Sequence, residues 1–151
     1  MNIALSDSEY LNFVEFNITG DNDAFHRCDL ESRYLDTVVF SLVQNCFENA
    51  NKTYDYFGGT RYNSRTIIVL RNELTTTLES FDKLLSLNDF TSHINNRFMG
   101  KDFLISLEEE DHAWKEKWKE YHVRITQVLR DLIELVEKCA FEERILWVIG
   151  Y

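Results

Sequence analysis

The sequence predicts a mainly α protein, a single-domain bundle of three long helices spanning residues 1–151, with room for a small β element near the amino end. Apolar residues recur at helical spacing in three long segments, whereas only one short segment near the amino end clearly alternates like a strand. The length of 151 residues and the apolar content of 44% allow a sizeable core without disulfides or metals.

Glycine positions divide the chain into units. There is no proline, and the five glycines are Gly20, Gly58, Gly59, Gly100 and Gly150. Because glycine readily interrupts regular structure, each intervening segment is interpreted as one unit.

The first unit supports two interpretations. Ser6 and Glu9 have the spacing of a capping box and would open a helix, whereas residues 14–19 alternate like a half-buried strand. The β-branched and aromatic residues at the apolar positions, and the turn composition of residues 20–23, favour the strand.

A first long helix is predicted over residues 29–50. Its apolar residues lie on three sides, including Val38, Val39 and Phe40, and leave only a narrow polar line. Such a helix is central to the bundle or contacts another chain, so a structural homo-oligomer stays open as an interpretation.

A second long helix is predicted over residues 64–87, and residues 90–98 suit a short helix. The buried side of the second helix consists of Ile67, Leu70, Leu74, Leu78, Phe81 and Leu85. The short apolar run 103–107 would either pair as a strand with residues 14–18 or lead into the last helix.

The clearest pattern covers residues 111–149 and predicts a core helix. One apolar face is formed by Trp114, Trp118, Tyr121, Ile125, Val128, Leu132, Leu135 and Cys139. A second apolar line begins at Leu129, so the carboxyl half of this helix is expected to have neighbours on two sides.

The charge of the chain favours a basic protein partner. Twenty-six acidic residues against 16 basic ones give a net charge of −10. That charge repels nucleic acid and anionic membranes, so neither is expected as a partner. Acidity that serves only solubility is the plainer alternative.

A cytoplasmic location is expected. The three cysteines, Cys28, Cys46 and Cys139, form no CxxC pair and no evident disulfide framework. The amino-terminal residues lack the features of a signal peptide, and no apolar run is long enough to cross a membrane.

No residue pattern indicates catalysis, a metal or a cofactor. Glu109 and His112 have the ExxH spacing of di-iron bundles, but no second ExxH accompanies them. Nucleophile and phosphate-loop motifs are missing as well. The alternative is a helical-bundle enzyme or ligand-binding protein with a site between its helices, using His112 and His122.

An aromatic segment, residues 53–63, is the first candidate surface. Tyrosine and arginine are enriched at interface hot spots. The candidate partner-binding residues in this segment are Tyr54, Asp55, Tyr56, Phe57, Arg61 and Tyr62. Alternatively, Tyr54, Phe57 and Tyr62 fold back and close the core.

An acidic run is the second candidate surface and consists of Glu108, Glu109, Glu110 and Asp111. Four consecutive acids could enter a cationic cleft or accelerate encounter with a basic protein. Alternatively, they complement the dipole at the amino end of the last helix.

These observations predict a small acidic binding or inhibitor protein that occludes a basic protein partner. In general character the chain is similar to the immunity proteins of bacterial toxin pairs, which are small, acidic and without catalytic residues. That similarity implies a toxin domain as the partner. Immunity proteins share no common motif, so no residue role is carried over from them.

Overall fold

The computed structural model describes residues 1–9 and 11–150, and within them the fold is α+β, so the predicted three-helix bundle is wrong. The strands are β1 (Phe13–Asn17), β2 (Arg33–Asp36), β3 (Gly59–Tyr62) and β4 (Leu146–Gly150). The helices are α1 (Thr37–Ser41), α2 (Gln44–Ala50), α3 (Thr66–Asp82), α4 (Leu87–Asn95), α5 (Gly100–Glu110) and α6 (Trp118–Phe141).

One antiparallel sheet has the strand order β2-β1-β4-β3, so the last strand of the chain lies in its centre. Phe16 of β1 pairs with Val148 of β4, and Thr60 of β3 pairs with Val148 from the other side. The sheet therefore joins residues from both ends of the chain.

The predicted helix 111–149 is too long at both ends. Residues 112–117 form turns, and α6 ends at Phe141. Glu143 then adopts a left-handed conformation (φ 57°), and the Arg144 amide donates to the Cys139 carbonyl at 2.8 Å, as in a Schellman ending. Because a glutamate occupies the position where glycine is usual, the sequence does not mark this helix end.

The predicted helix 29–50 is also wrong in its first part, where Arg33–Asp36 is a strand. Asp36 ends that strand and caps α1, since its carboxylate accepts a hydrogen bond from the Val38 amide at 2.9 Å. Apolar residues occur on all sides of the segment because a strand, two short helices and the turn between them are buried in the chain's own core.

Residues 103–107 belong to α5, so neither expected role of this run is correct. The glycine that should have separated two units is the first residue of α5. A Cβ atom on Gly100 would overlap the Ile94 carbonyl oxygen, so the missing side chain allows α4 and α5 to approach closely.

Three elements match the predictions. The strand expected at 14–19 is β1, the helix expected at 64–87 is α3, and the short helix expected at 90–98 overlaps α4. Two details are wrong: β1 is buried on both faces and not half-buried, and Leu85, expected on the buried side of the second helix, lies beyond the end of α3 and is 85% exposed.

The main core lies between the helices and one face of the sheet. Val14, Phe16 and Val148 project from that face into the same cluster as Leu70 of α3 and Leu132 of α6. Aromatic rings fill the centre, and the Phe16 and Phe47 ring centroids lie 5.8 Å apart.

Residues 20–32 cover the opposite face of the sheet and are called the strap here. Phe25 packs on Trp147 with ring centroids 4.9 Å apart. The Asn17 amide donates to the His26 carbonyl at 2.7 Å, and the Trp147 indole donates to the Asp21 carbonyl at 2.8 Å. The strap holds little regular structure of its own, so these contacts to the sheet keep it in place.

Both sheet edges are partly covered. Ser6 exchanges two backbone hydrogen bonds with Tyr34 of β2, and Asn51 donates its side-chain amide to the Arg61 carbonyl of β3 at 3.0 Å. Covered edges lower the tendency of a sheet to pair with another chain. Among the described residues, no helix combines the length and apolar character needed to cross a membrane.

Candidate partner-binding surface

Two of the tyrosines expected at the surface help to close the core. Tyr62 is fully buried, and its hydroxyl donates to the Phe47 carbonyl at 2.9 Å. Tyr54 packs against the core cluster. Burial raises the pKa of both phenols above the ordinary value of tyrosine. For Tyr62 the core-closing interpretation holds, so it cannot contact a partner.

Phe57 is 82% exposed and is the main apolar residue on the surface of the aromatic segment. Its ring meets Tyr56 edge to face at 4.7 Å, and Tyr56 in turn lies 6.0 Å from Phe98. Phe98 is itself 45% exposed. We call Tyr56, Phe57 and Phe98 the aromatic patch.

Local hydrogen bonds hold the loop that carries Phe57. The Asp55 carboxylate accepts from the Phe57 amide at 3.0 Å, and the Asp55 amide donates to the Thr60 hydroxyl at 2.9 Å. The Tyr56 hydroxyl lies 3.8 Å from the Met99 sulfur. Asp55 therefore acts as a turn residue, and the loop presents Phe57 in a pre-organised position.

Arg61 lies apart from this loop, on β3. Its guanidinium donates to the Asn22 carbonyl, which ties the strap to the edge of the sheet. Arg61 is exposed, but the structure assigns it a contact with the strap and none with the aromatic patch.

The acidic run lies at the carboxyl end of α5 and not at the start of the last helix. α6 begins seven residues after Asp111, so the interpretation that these acids complement its dipole is wrong. At a helix carboxyl end, acids add to the negative end of the dipole, and the last turn of α5 contains no basic residue. The acidic run therefore concentrates negative potential at this end of α5 and lowers the stability of the helix.

Asp111 is used within the fold. Its carboxylate accepts from the Lys117 ammonium at 2.8 Å and from the Tyr121 hydroxyl at 2.9 Å. The hydrogen bond from Lys117 is the main reason that the pKa of Asp111 lies below its ordinary value. This acid therefore orders the connection between α5 and α6.

Glu108 and Glu110 also have partners. The Glu108 carboxylate accepts from the Trp114 indole at 2.7 Å, and Glu110 pairs with the amino group of Met1. Glu109 is exposed and takes part in none of the ion pairs of the described residues. Of the four acids, Glu109 has the most accessible charge.

The exposed side of α5 connects the aromatic patch to the acidic run. Asp102, Ile105 and Glu109 are three and four residues apart, so they share one side of the helix, and Ile105 is 56% exposed. An 11-residue helix is about 16 Å long. We call the aromatic patch together with these three residues the α5 surface.

Phe98 and Ile105 were missed by sequence reasoning. For Ile105 the signal was available, because Asp102, Ile105 and Glu109 keep helical spacing, whereas Phe98 precedes the left-handed Met99 and lies outside α5. That spacing had no meaning while residues 103–107 were interpreted as a strand or a lead-in.

The structure does not bring the two candidate histidines of the enzyme alternative into one site. His112 is exposed, with its ring nitrogen 3.9 Å from Glu108, whereas His122 contacts the Phe81 carbonyl oxygen at 2.8 Å. Among the described residues, no group of three or more His, Cys, Asp or Glu side chains could hold a metal ion.

Comparison with known proteins finds no relative. No family model, curated protein or solved structure matches this chain. A functional assignment therefore depends on the surface geometry and the charge of the chain itself.

Proposed function

We propose that the chain is a small acidic inhibitor that uses the α5 surface to occlude a basic protein partner, as immunity proteins neutralise toxin domains. The observation that carries this proposal is the exposure of Phe57, packed against Tyr56 on a loop held by Asp55. A rigid, exposed aromatic residue is the usual anchor of a protein interface.

The arrangement of charge supports a basic partner. Asp102 and Glu109 flank the exposed Ile105 on α5, and the carboxyl end of that helix adds its own negative potential. Acidic residues around an apolar centre accelerate encounter with a cationic protein, while the apolar centre slows dissociation. With a net charge of −10, the chain as a whole attracts the same class of partner.

The experiment is capture by immobilised chain from the cytoplasmic extract of the source cells, at low and at high salt. Wild-type chain should retain one basic protein, and retention should fall at high salt because the encounter is electrostatic. The activity of the retained protein, once identified, should be inhibited by wild-type chain in a stoichiometric manner.

The matched variants are Phe57→Ala and Phe141→Ala. Both phenylalanines are strongly exposed, but Phe141 lies at the end of α6 and outside the α5 surface. We expect Phe57→Ala to weaken binding by about 30-fold or more, as for an interface hot spot, and Phe141→Ala to bind like wild type. Equal binding by the two variants would remove the α5 surface as the site.

A further inference from the structure

Arg97 lies between α4 and α5 without a counter-charge. Its guanidinium sits 5.6 Å above the Phe81 ring and is half-buried, and this burial lowers its pKa. Within residues 1–9 and 11–150, none of the ion pairs includes Arg97. The chain has 26 acidic residues, so acids are not scarce.

The hydrogen-bond acceptors of Arg97 are uncharged. Its Nη2 lies 2.8 Å from Nε2 of His93 and donates to the Ser80 hydroxyl at 3.2 Å. The hydroxyl of Ser80 donates in turn to the Thr77 carbonyl at 2.6 Å. His93 accepts from the guanidinium only as a neutral imidazole, so neither acceptor cancels the positive charge.

The other titratable groups near this cluster supply no negative charge. Cys46 acts on Arg97, but burial raises the pKa of its thiol to about 11, so it is neutral at physiological pH. His122 acts on His93 and is itself a base. The cluster of Ser80, His93 and Arg97 is thus a half-buried positive site in an acidic protein.

A desolvated guanidinium without a counter-ion is unfavourable, and it gains from any oxyanion that can reach it. Among the described residues, Nη1 and Nε of Arg97 have no hydrogen-bond acceptor. The planar guanidinium matches the two oxygens of a carboxylate or phosphate group. We propose that Arg97, with Ser80 and His93 beside it, binds an oxyanion of this kind.

The oxyanion site borders the α5 surface but is independent of the function proposed above. Arg97 directly precedes Phe98, whereas its side chain is directed towards Phe81 and Ser80 of α3. The site would exist even if the α5 surface bound no partner.

Inorganic phosphate and acetate are the two probes, titrated separately into the full chain at constant ionic strength. A saturable response to both probes identifies a general oxyanion site. A response to only one probe shows whether the site selects a phosphate or a carboxylate group. At a concentration about five times the dissociation constant, the melting temperature should rise by about 2–4 °C. The pKa of His93, followed by NMR, should rise when a probe binds, because a nearby negative charge favours the imidazolium.

Arg97→Met and Arg124→Met form the matched pair of variants. Arg124 also lies 5.6 Å from an aromatic ring, that of Tyr121, but is exposed on α6. Arg97→Met should abolish the saturable response, and Arg124→Met should keep it. If Arg97→Met does not fold, Arg97→Lys decides, because lysine keeps the positive charge but cannot hold the two oxygens of the anion in parallel, so binding should weaken about 2- to 10-fold.

The proposal is overturned by any of three results. The first is that neither probe gives a saturable effect beyond that of sodium chloride at equal ionic strength. The second is that Arg97→Met responds like wild type. The third, which applies if Arg97→Lys folds and Arg97→Met does not, is an affinity of Arg97→Lys equal to that of the unmodified chain.

Discussion

The carboxylate of Glu15, fully buried in β1, accepts a hydrogen bond from the Ser32 hydroxyl at 2.7 Å. The same oxygen accepts from the Cys28 amide at 2.9 Å. These bonds attach the strap to the face of the sheet opposite the main core. A charged residue in the centre of a sheet is unfavourable unless its carboxylate accepts hydrogen bonds. Glu15 therefore needs the donors of the strap, and the strap needs Glu15 to stay in place.

Glu15→Gln should destabilise the protein by about 1–3 kcal/mol, because a neutral amide oxygen is a weaker acceptor than a carboxylate. Urea unfolding measures this change, and hydrogen exchange should show faster opening of the strap than of α3. Glu137→Gln, at an exposed position on α6, is the control and should stay within about 0.5 kcal/mol of wild type.

A double-mutant cycle with Ser32→Ala tests whether the two side chains act together. A coupling energy near zero would show that the Glu15 carboxylate does not depend on Ser32. We expect a coupling of about 0.5–1.5 kcal/mol.

Tyr62→Phe tests the assignment of Tyr62 to the core. Its hydroxyl donates to the Phe47 carbonyl, which also accepts from the Asn51 amide at 3.0 Å. Because that carbonyl keeps one donor, loss of the hydroxyl should cost only about 1 kcal/mol, measured by chemical denaturation. Partner binding should not change. A loss of affinity for the partner at unchanged stability would show that Tyr62 contacts the partner and does not only serve the core.

Gly100→Ala should destabilise the protein by about 3 kcal/mol or more, since the added methyl group would push the Ile94 carbonyl away and separate α4 from α5. Thermal unfolding measures the loss. Gly58→Ala is the matched control, because there the nearest atoms belong to the Asp55 side chain, whose rotation should cost no more than its hydrogen bond from the Phe57 amide, about 1 kcal/mol. A near-neutral Gly100→Ala would mean that the packing of α4 on α5 is looser than the structure shows.

The elements that sequence reasoning recovered are those whose pattern is local. In β1 the alternation of residues 14–19, and in α3 the helical spacing from Ile67 to Phe81, identify the element without knowledge of its neighbours. Strand β4 differs, because five consecutive largely apolar residues suit either a helix or a buried strand. Only its pairing with β1 and β3, distant in sequence, decides between them.

In the candidate site, too, the sequence identified residues with a local signal and missed those that depend on contacts between distant segments. Phe57 was recognisable from composition, because an aromatic residue beside two glycines stands out in any fold. Phe98 could not be grouped with Tyr56 before the contact between residues 43 apart in number, Tyr56 and Met99, was known. The position of the acidic run could not be judged either until α5 was known to end at Glu110.

His93 should make the stability of the protein depend on pH. Burial, followed by the charge of Arg97, lowers the pKa of His93 from 6.5 to about 4. Below pH 6.5 the unfolded chain binds a proton at this residue that the folded chain does not bind until about pH 4. The unfolded state is therefore favoured as the pH falls through this window, and the stability contribution is fully present only above pH 6.5.

The loss between pH 7 and pH 4 that is due to His93 should be about 1–2 kcal/mol, less than the full shift implies because His93 is only half-buried and water screens its charge. His93→Gln keeps an acceptor for Arg97 and does not titrate, so the difference between the two unfolding curves isolates this residue from the carboxylates that titrate near pH 4. Buffers without phosphate or carboxylate avoid occupation of the proposed oxyanion site. If the free energy of unfolding varies with pH in the same way in the two proteins, His93 titrates in the folded chain as it does in the unfolded one, and the prediction is wrong.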